Sequence, residues 1–330
     1  MSRLKKLVIF LLILVLAIPI VTYGITSSFV GNMHDSNLNT ESLDSLSYAN
    51  KEGIRNILIM GSDARPGDKT SRTDSMMILT IDKIHKDIKI TSLARDTFVD
   101  IPGYGYSKLT HAYAFGKEDL LIKTIEKNFG IDINDFVLIN FESFIAIIDA
   151  LGGVTVDVTK NEINELNKFI PETYRWSTNK NKGEMKLIER TGEQKLNGYQ
   201  ALSFARIRHN DSAFGRDNRQ RMIVTSVMKE LKNTPKFKYP FLLKAASPYI
   251  KTNMTTWDML KCALNIAFIG TDNIKQMEFP IVDPPGYSTG GILGRYGWVL
   301  RFKDSTVEDL KNFIFNDIEF KPGNTQENYY

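Results

Sequence analysis

One stretch of the chain, residues 56–96, constrains the fold more than any other part of the sequence. It contains three short runs rich in Ile, Leu and Met, at residues 57–60, 76–81 and 88–93, each bounded by glycine or charged residues. Short apolar runs interrupted in this way are typical of buried or half-buried β-strands. The stretch therefore predicts three strands whose connections carry charged side chains.

Those charged side chains lie where the predicted strands begin and end: Asp63, Arg65, Arg72, Asp74, Arg95 and Asp96. Two of the carboxylates, on Asp63 and Asp74, are eleven positions apart on a loop that returns to the next strand, so they can converge on one cation. Mg²⁺ prefers such oxygen ligands, and arginine guanidiniums pair with phosphate oxygens. The set predicts a site for a metal ion and a phosphate-bearing ligand, with solvated ion pairs on a loop as the alternative.

Strand-like and helical patterns alternate downstream of this stretch. Helical spacing of apolar residues at 117–129 and 141–151 is interleaved with strand-like runs at 136–139 and 154–158. The alternation predicts a mixed α/β fold, with a central mixed β-sheet flanked by helices. The helix at 141–151 is apolar nearly all round, which is typical of a helix in the core. Residues 160–190 are polar and predict an excursion near the site rather than a part of the core.

The N-terminus contains a nearly continuous apolar run of about 19 residues, at 7–25, preceded by Arg3, Lys5 and Lys6. Such a run can span a bilayer, and its basic flank should stay in the cytoplasm. No small-residue cleavage motif follows, so a single-pass signal anchor is favoured over a cleaved signal peptide. The predicted organisation is a cytoplasmic stub (1–6), an anchor in the lipid bilayer (7–25), an extracellular linker (26–51), one folded domain (52–320) and a flexible tail (321–330).

Charge, cysteine and histidine content argue against several classes of function. The formal net charge is only +4, which gives no strong case for binding nucleic acid. The single cysteine, Cys262, cannot form an internal disulfide, and the four histidines lack the spacing of a zinc site.

A second charged cluster follows a predicted helix at residues 196–205. In an extended segment Arg206 and Arg208 would point the same way, because side chains alternate with period two. A turn is predicted at residues 214–215, followed by a helix on which Arg216 and Gln220 share one face. The N-terminus of such a helix favours anions. The alternatives are a basic solvated loop and a nucleic-acid-binding patch.

Both clusters contain distinctive motifs. The first contains G-S-D-A-R, R-T-D-S-M and S-L-A-R-D, and the loop after it leads into K-L-T-H-A-Y-A-F-G. The second reads L-N-G-Y-Q-A-L-S-F-A-R-I-R, then D-S-A-F-G-R and R-Q. These motifs resemble the LytR-CpsA-Psr family of membrane-anchored envelope proteins over roughly residues 55–230, most weakly at 160–190.

The resemblance implies a phosphotransferase that joins a polyprenyl-pyrophosphate-linked glycopolymer (teichoic acid, capsule or another wall polysaccharide) to a muramic acid hydroxyl of peptidoglycan. Asp63 and Asp74 would hold Mg²⁺, or Mn²⁺, against the pyrophosphate, and Asp63 or Asp96 would take the acceptor's proton. Another role for Asp96 and Asp211 is to orient neighbouring arginines. The resemblance also implies a second interpretation of the apolar helix at 141–151, as one wall of an apolar slot for the lipid beside the phosphate site. The residues implied to act in catalysis are Asp63, Asp74, Arg95, Asp96, Arg206 and Arg216. Those implied to bind the pyrophosphate are Arg65, Arg72, Arg95, Lys108, Arg206, Arg208, Arg216 and Gln220.

Two other functions stay open. Some relatives were first named as regulators of envelope genes, but only about six residues are expected on the cytoplasmic side, too few for a DNA-reading element. A surface pyrophosphatase would use the same residues with water as the acceptor. For either enzyme, the residues near position 70 and those near position 210 must fold together.

Overall fold

A computed structural model describes residues 49–62, 73–177, 179–208, 213–239, 242, 250–271, 274–282 and 286–321. Four residues singled out above, Asp63, Arg65, Arg72 and Asp211, lie outside these ranges, as do the predicted anchor and nearly all of the predicted linker and tail. Within the described ranges, no helix combines the length and the apolarity needed to cross a bilayer.

Twelve strands and seven α-helices are named here within the described ranges. The strands are β1 (Ile54–Ser62), β2 (Thr73–Asp82), β3 (Asp87–Leu93), β4 (Phe98–Ile101), β5 (Gly105–Lys108), β6 (Asp135–Ile139), β7 (Val154–Val158), β8 (Gly192–Leu196), β9 (Ile250–Thr252), β10 (Ile274–Phe279), β11 (Ser288–Ile292) and β12 (Trp298–Phe302). The helices are α1 (Leu109–Phe129), α2 (Phe141–Leu151), α3 (Lys160–Trp176), α4 (Gly198–Ala205), α5 (Ala213–Asn233), α6 (Thr256–Ile269) and α7 (Asp304–Asn316).

A six-stranded sheet with the order β10-β3-β2-β1-β6-β9 forms the centre of the fold. β1 pairs antiparallel with β2 and parallel with β6, so the sheet is mixed. The three apolar runs of residues 56–96 are β1, β2 and β3, which lie side by side. The prediction of a mixed α/β fold with a central mixed sheet flanked by helices is confirmed.

The two faces of the sheet are covered by different helices. On one face Leu58 and Met60 belong to a core shared with α1 and α7. On the other face Ile57 and Met77 belong to a core shared with α5 and α6. A third core joins β7 and β8 to α2, α3 and α4. This third layer stands beside the sheet, and the cavity described below lies between the two.

The structure corrects two local predictions. Residues 160–190 are not an excursion outside the core, because α3 begins at Lys160 and its Leu166 and Ile170 are fully buried in the third core. Most residues of α3 are polar and only a few apolar ones face inward, so the helical periodicity of its apolar residues is weak in the sequence. The turn predicted at residues 214–215 is also wrong, since both positions lie inside α5.

Glu126 of α1 is a buried carboxyl that should make the stability of the fold depend on pH. The side chain is buried and accepts a hydrogen bond from the Ile133 amide at 3.1 Å. Burial raises its pKa from 4.5 to about 7, against the opposing effect of that hydrogen bond. A carboxyl whose folded-state pKa is raised contributes stability at low pH that is lost as the pH rises through the folded-state value.

We therefore expect the wild-type free energy of unfolding to fall by up to about 3 kcal/mol between pH 4.5 and pH 8 because of this group. Glu126→Gln should remove that fall, because the amide keeps an acceptor oxygen and does not titrate. Urea unfolding at several pH values measures the free energy of unfolding of each variant, with Glu193→Gln on the exposed face of β8 as the control. An unchanged slope in Glu126→Gln would refute the assignment.

Candidate active site

A cavity of about 620 Å³ opens between the sheet and helices α2 to α5. Its polar lining includes Asp74, Asn140, Arg206, Arg208, Arg216 and Gln220. Its apolar lining includes Ile59, Met77, Phe141, Phe144, Phe169 and Val224. One cavity thus combines several guanidinium groups with an extended apolar wall.

The sheet and α5 each present one face to this cavity. Ile59 of β1 and Met77 of β2 are cross-strand partners, and both line it. On α5 the lining residues are Arg216, Gln220 and Val224, spaced by four, so they share one helical face as predicted for the first two. Along α5 the wall therefore changes from cationic to apolar towards the C-terminus of the helix.

Asp74 joins the two charged clusters of the sequence. Its Oδ1 accepts a hydrogen bond from Arg95 at 2.6 Å, and its Oδ2 accepts one from Arg208 at 2.7 Å. Arg208 is 134 positions away in the chain, so the segments near positions 70 and 210 do fold together.

The guanidiniums around Asp74 keep its carboxyl ionised. Burial raises the pKa of Asp74, but the charges of Arg95, Arg208 and Arg216, with the hydrogen bond from Arg95, outweigh it and lower the pKa below its usual value. For Arg95, burial lowers the pKa and Asp74 raises it, with a net increase. The pair is therefore charged at neutral pH.

A chain of ion pairs extends from Asp74 to the edge of the site. Arg95 Nε lies 3.4 Å from Asp96 Oδ2, and Lys108 Nζ lies 2.8 Å from Asp96 Oδ1. Asp96 thus lies between two cations, which fits its suggested role in orienting an arginine. Arg95 is 33% exposed at its side chain and contacts Asp74, which lines the cavity.

Arg206 is held by an aromatic box that the sequence analysis missed. Its guanidinium lies 4.7 Å from the ring centre of Trp176 and 4.8 Å from that of Phe169, and Glu172 Oε2 accepts a hydrogen bond at 2.8 Å. Phe169, Glu172 and Trp176 have the spacing of one face of α3. Once residues 160–176 are recognised as a helix, that spacing is the signal that could have found them.

The L-N-G motif before this arginine serves to position it. Asn197 and Gln200 form a reciprocal capping box at the start of α4. Gly198 allows α4 to pack on α2, because a Cβ there would lie 2.3 Å from the carbonyl oxygen of Ile145. α4 ends at Ala205, and Arg206 follows it with φ of −96° and ψ of −4°. The extended geometry considered for this segment is therefore absent at Arg206, although Arg206 and Arg208 both line the cavity.

Arg216 is buried, at 4% exposure, and pairs with the adjacent Asp217 at 3.2 Å. Burial raises the pKa of Asp217, and Arg216 opposes that increase.

Nearby, Arg219 donates to the carbonyl of the fully buried Ile207 at 2.9 Å, which ties α5 to the segment carrying Arg206 and Arg208. Asp217 and Arg219 were not among the predicted site residues.

The apolar helix α2 divides between the two roles considered for it. Phe141 and Phe144 line the cavity, whereas Ile145 and Ile148 are buried in the third core. Asn140 caps the helix and accepts from the Ser143 amide at 2.9 Å. The N-terminal end of α2 is therefore a wall of the cavity, and Ile145 and Ile148 are core.

The predicted site residues form three groups. Those that line the cavity are Asp74, Arg206, Arg208, Arg216 and Gln220. Arg95, Asp96 and Lys108 connect to it through the ion pairs of Asp74. Asp63, Arg65 and Arg72 lie outside the described residues.

The donor set around Asp74 fits a magnesium ion only in part. An ionised carboxylate on a cavity wall is a suitable ligand, and each oxygen keeps a lone pair beside its hydrogen bond to arginine. Among the described residues, no group of three or more His, Cys, Asp or Glu side chains is placed to hold a metal ion. A cation here would use Asp74 with phosphate and water oxygens, and the other predicted ligand, Asp63, is not described.

Comparisons with known proteins identify the family of this chain. The sequence profile of the LytR_cpsA_psr family matches residues 20–300. Regulatory protein MsrR of Staphylococcus aureus (strain COL) is 32% identical over 234 residues, which span 70% of this chain and only 65% of that relative's length. The polyisoprenyl-teichoic acid–peptidoglycan teichoic acid transferase TagU of Bacillus cereus (strain AH820) is 32% identical over 267 residues, 80% of this chain and 78% of that protein.

A solved structure supports the fold. YwtF (TagT) of Bacillus subtilis, with bound octaprenyl pyrophosphate lipid, matches with a TM-score of 0.60 at 22% identity, covering 83% of this chain and 93% of that one. At this identity the likeness concerns the fold alone.

Proposed function

Because this chain belongs to the LytR-CpsA-Psr family, we propose that it transfers a glycopolymer from a polyprenyl-pyrophosphate-linked donor to peptidoglycan. The TagU relative is named as such a transferase for teichoic acid. The polymer carried here is a teichoic acid, a capsular polysaccharide or another secondary wall polysaccharide.

The observation that carries the proposal is the composition of the cavity. Arg206, Arg208 and Arg216 supply cationic donors for a pyrophosphate, and the aromatic and aliphatic wall beside them suits an isoprenoid chain. The volume of about 620 Å³ is in the usual range for a ligand pocket. A related structure holds octaprenyl pyrophosphate, a ligand with the same two parts.

The reaction forms one phosphodiester and breaks one phosphoanhydride. The oxygen of a muramic acid hydroxyl attacks the phosphorus that bears the glycopolymer, and the bond from that phosphorus to the bridging oxygen breaks. Polyprenyl phosphate leaves with the electron pair, while the hydroxyl proton passes to a carboxylate, with Asp96 and Asp63 as the candidates. Arginine charges that meet the developing negative charge would supply most of the catalysis.

We include Mg²⁺ in the proposal, with Mn²⁺ as the alternative, held by Asp74 and by Asp63. A bound divalent cation would neutralise pyrophosphate charge and improve the leaving group. We also propose that residues 7–25 anchor the chain in the cell membrane, with the N-terminus in the cytoplasm and residues 52–320 outside as the catalytic domain.

The main experiment separates transfer from hydrolysis. The full-length chain in detergent or nanodiscs is incubated with labelled lipid-linked glycan, with and without peptidoglycan oligomer. Labelled peptidoglycan together with polyprenyl phosphate is the expected product. Phosphate release without labelled peptidoglycan would favour the pyrophosphatase, and the absence of both reactions would favour a regulator, as the name of the MsrR relative suggests.

A further inference from the structure

A group of five aromatic side chains, three exposed and two half-buried, surrounds the β4–β5 hairpin, outside the cavity. We call it the aromatic platform and define it as Phe98, Tyr104, Tyr106, Phe115 and Tyr296. Tyr104, Tyr106 and Phe115 are 58%, 59% and 45% exposed, and exposed apolar rings that adjoin one another mark interaction sites.

The rings of the platform are ordered against one another. Phe98 stacks on Tyr106 with ring centres 5.5 Å apart and meets Tyr296 edge-on at 5.2 Å. Tyr104 stacks on Phe115 with ring centres 4.8 Å apart. Because each ring is supported by another, the platform presents fixed aromatic surfaces to solvent.

The hairpin turn is shaped to expose two of these tyrosines. Gly103 and Gly105 flank Tyr104 with φ angles of +79° and +73°, which side-chain-bearing residues rarely adopt. Phe98 pairs with Lys108 and Asp100 pairs with Tyr106 across the hairpin, so these four side chains share its outward face. The buried Val99 and Ile101 occupy the other face.

This outward face leads directly into the candidate active site. Lys108, beside Phe98, pairs with Asp96. Asp96 also contacts Arg95, and Arg95 in turn pairs with Asp74 of the cavity. A polymer lying on the platform would therefore have one end at the Asp74 cluster. None of the five platform residues is part of the cavity wall as described.

Rings flanked by hydrogen-bonding groups suit a carbohydrate. The C–H faces of pyranose rings stack on aromatic rings, while their hydroxyls need polar partners. Lys108 with Asp96, and Asp100 on the same outward face of the hairpin, provide such partners beside the rings. A purely hydrophobic partner would leave these groups and the tyrosine hydroxyls without water or hydrogen bonds.

We propose that the aromatic platform binds the acceptor glycan strand of peptidoglycan and guides one of its hydroxyls to the phosphorus. The inference rests on the proposed function. The donor is already held by the cavity through its pyrophosphate and its lipid, whereas the acceptor has neither group and needs a separate surface. The platform is such a surface and adjoins the reacting groups.

Tyr106→Ala, and separately Tyr104→Ala, should raise the KM for a peptidoglycan oligosaccharide about tenfold, the loss expected for one stacking contact. The KM for the lipid-linked donor should stay within about twofold, and Tyr106→Trp should keep acceptor binding because it keeps a stacking surface. Phe268→Ala, at a 79% exposed aromatic of α6, is the matched control.

Direct binding keeps this test independent of transfer. Calorimetric titration of the full-length chain with the oligosaccharide, without donor, should show weaker binding by Tyr106→Ala and unchanged binding by Phe268→Ala. A rise in donor KM alone would assign the platform to the donor glycan and overturn the proposal, as would unchanged acceptor binding in both tyrosine variants. Absence of transfer by the wild type, with platform-dependent binding intact, would instead refute the proposed function.

Discussion

Arg95→Ala is expected to lower the kcat of glycopolymer transfer by about a thousandfold, the effect of removing one preorganised donor at a charge-developing atom. The side chain of Arg95 is 33% exposed and lies between Asp74 and Asp96. Burial lowers its pKa, but Asp74 raises it by more, so the guanidinium stays charged. Its two carboxylate partners fix its position before a ligand arrives. A pyrophosphate at this cluster therefore meets an oriented guanidinium, and no rearrangement is needed during the reaction.

The same substitution should leave the fold intact. After the loss of Arg95, Asp74 still pairs with Arg208 at 2.7 Å, so no carboxylate is left buried without a partner. The thermal midpoint of unfolding should change by only a few degrees, corresponding to about 1 kcal/mol. Lys123→Ala is the matched control, because Lys123 is 34% exposed against 33% for Arg95 and also pairs with an aspartate, Asp119, at 3.2 Å.

A double-mutant cycle sharpens the test. Asp74→Ala should also reduce transfer strongly, since it releases both Arg95 and Arg208. Because the three side chains act as a unit, the double variant should be little worse than either single variant. Near wild-type kcat in Arg95→Ala would show that this cluster is not where the phosphorus is held, whereas additive losses in the cycle would show that its side chains do not act as a unit.

Much of the sheet was predictable because its strands carry their own pattern. The runs at 57–60, 76–81 and 88–93 are dense in Ile, Leu and Met, and they became the adjacent strands β1, β2 and β3. The helix α3 was missed because it buries a narrow stripe, including Leu166 and Ile170, beneath a polar exterior. A stripe of that width gives little signal against many Asn, Lys and Glu residues.

The site was predictable in its residue types and less so in its contacts. Charged residues at strand ends indicated a phosphate site, and five of the predicted residues line the cavity. The contact of Asp74 with Arg208 depends on the tertiary fold, and no local pattern specifies it. The aromatic box of Arg206 was missed for the same reason, since Phe169 and Trp176 come from a layer whose packing the local pattern did not indicate.

A substitution in the apolar half of the cavity is expected to weaken lipid binding strongly. Val224 lies two helical turns beyond Arg216 on the same face of α5, where the wall has become apolar. Val224→Trp should fill part of this slot while adding apolar contacts to Met77 and Phe144, so the free energy of unfolding should not fall. The tryptophan would displace about one isoprenoid unit of the lipid from the cavity wall, and burial of such a unit contributes about 3 kcal/mol. The Kd of a long-chain polyprenyl pyrophosphate should therefore rise roughly a hundredfold.

Chain length distinguishes this effect from general damage. Inorganic pyrophosphate, which has no lipid, should bind to Val224→Trp as it does to the wild type, because Arg206, Arg208 and Arg216 are unchanged. Thr225→Trp is the control on the adjacent residue, whose hydroxyl contacts Gln276 at 3.2 Å and which is not part of the cavity wall as described. Equal weakening of both ligands, or none for the long-chain lipid, would contradict a lipid slot here. Selective weakening of the long-chain ligand would place the isoprenoid between the sheet and α5, and the pyrophosphate at the arginines.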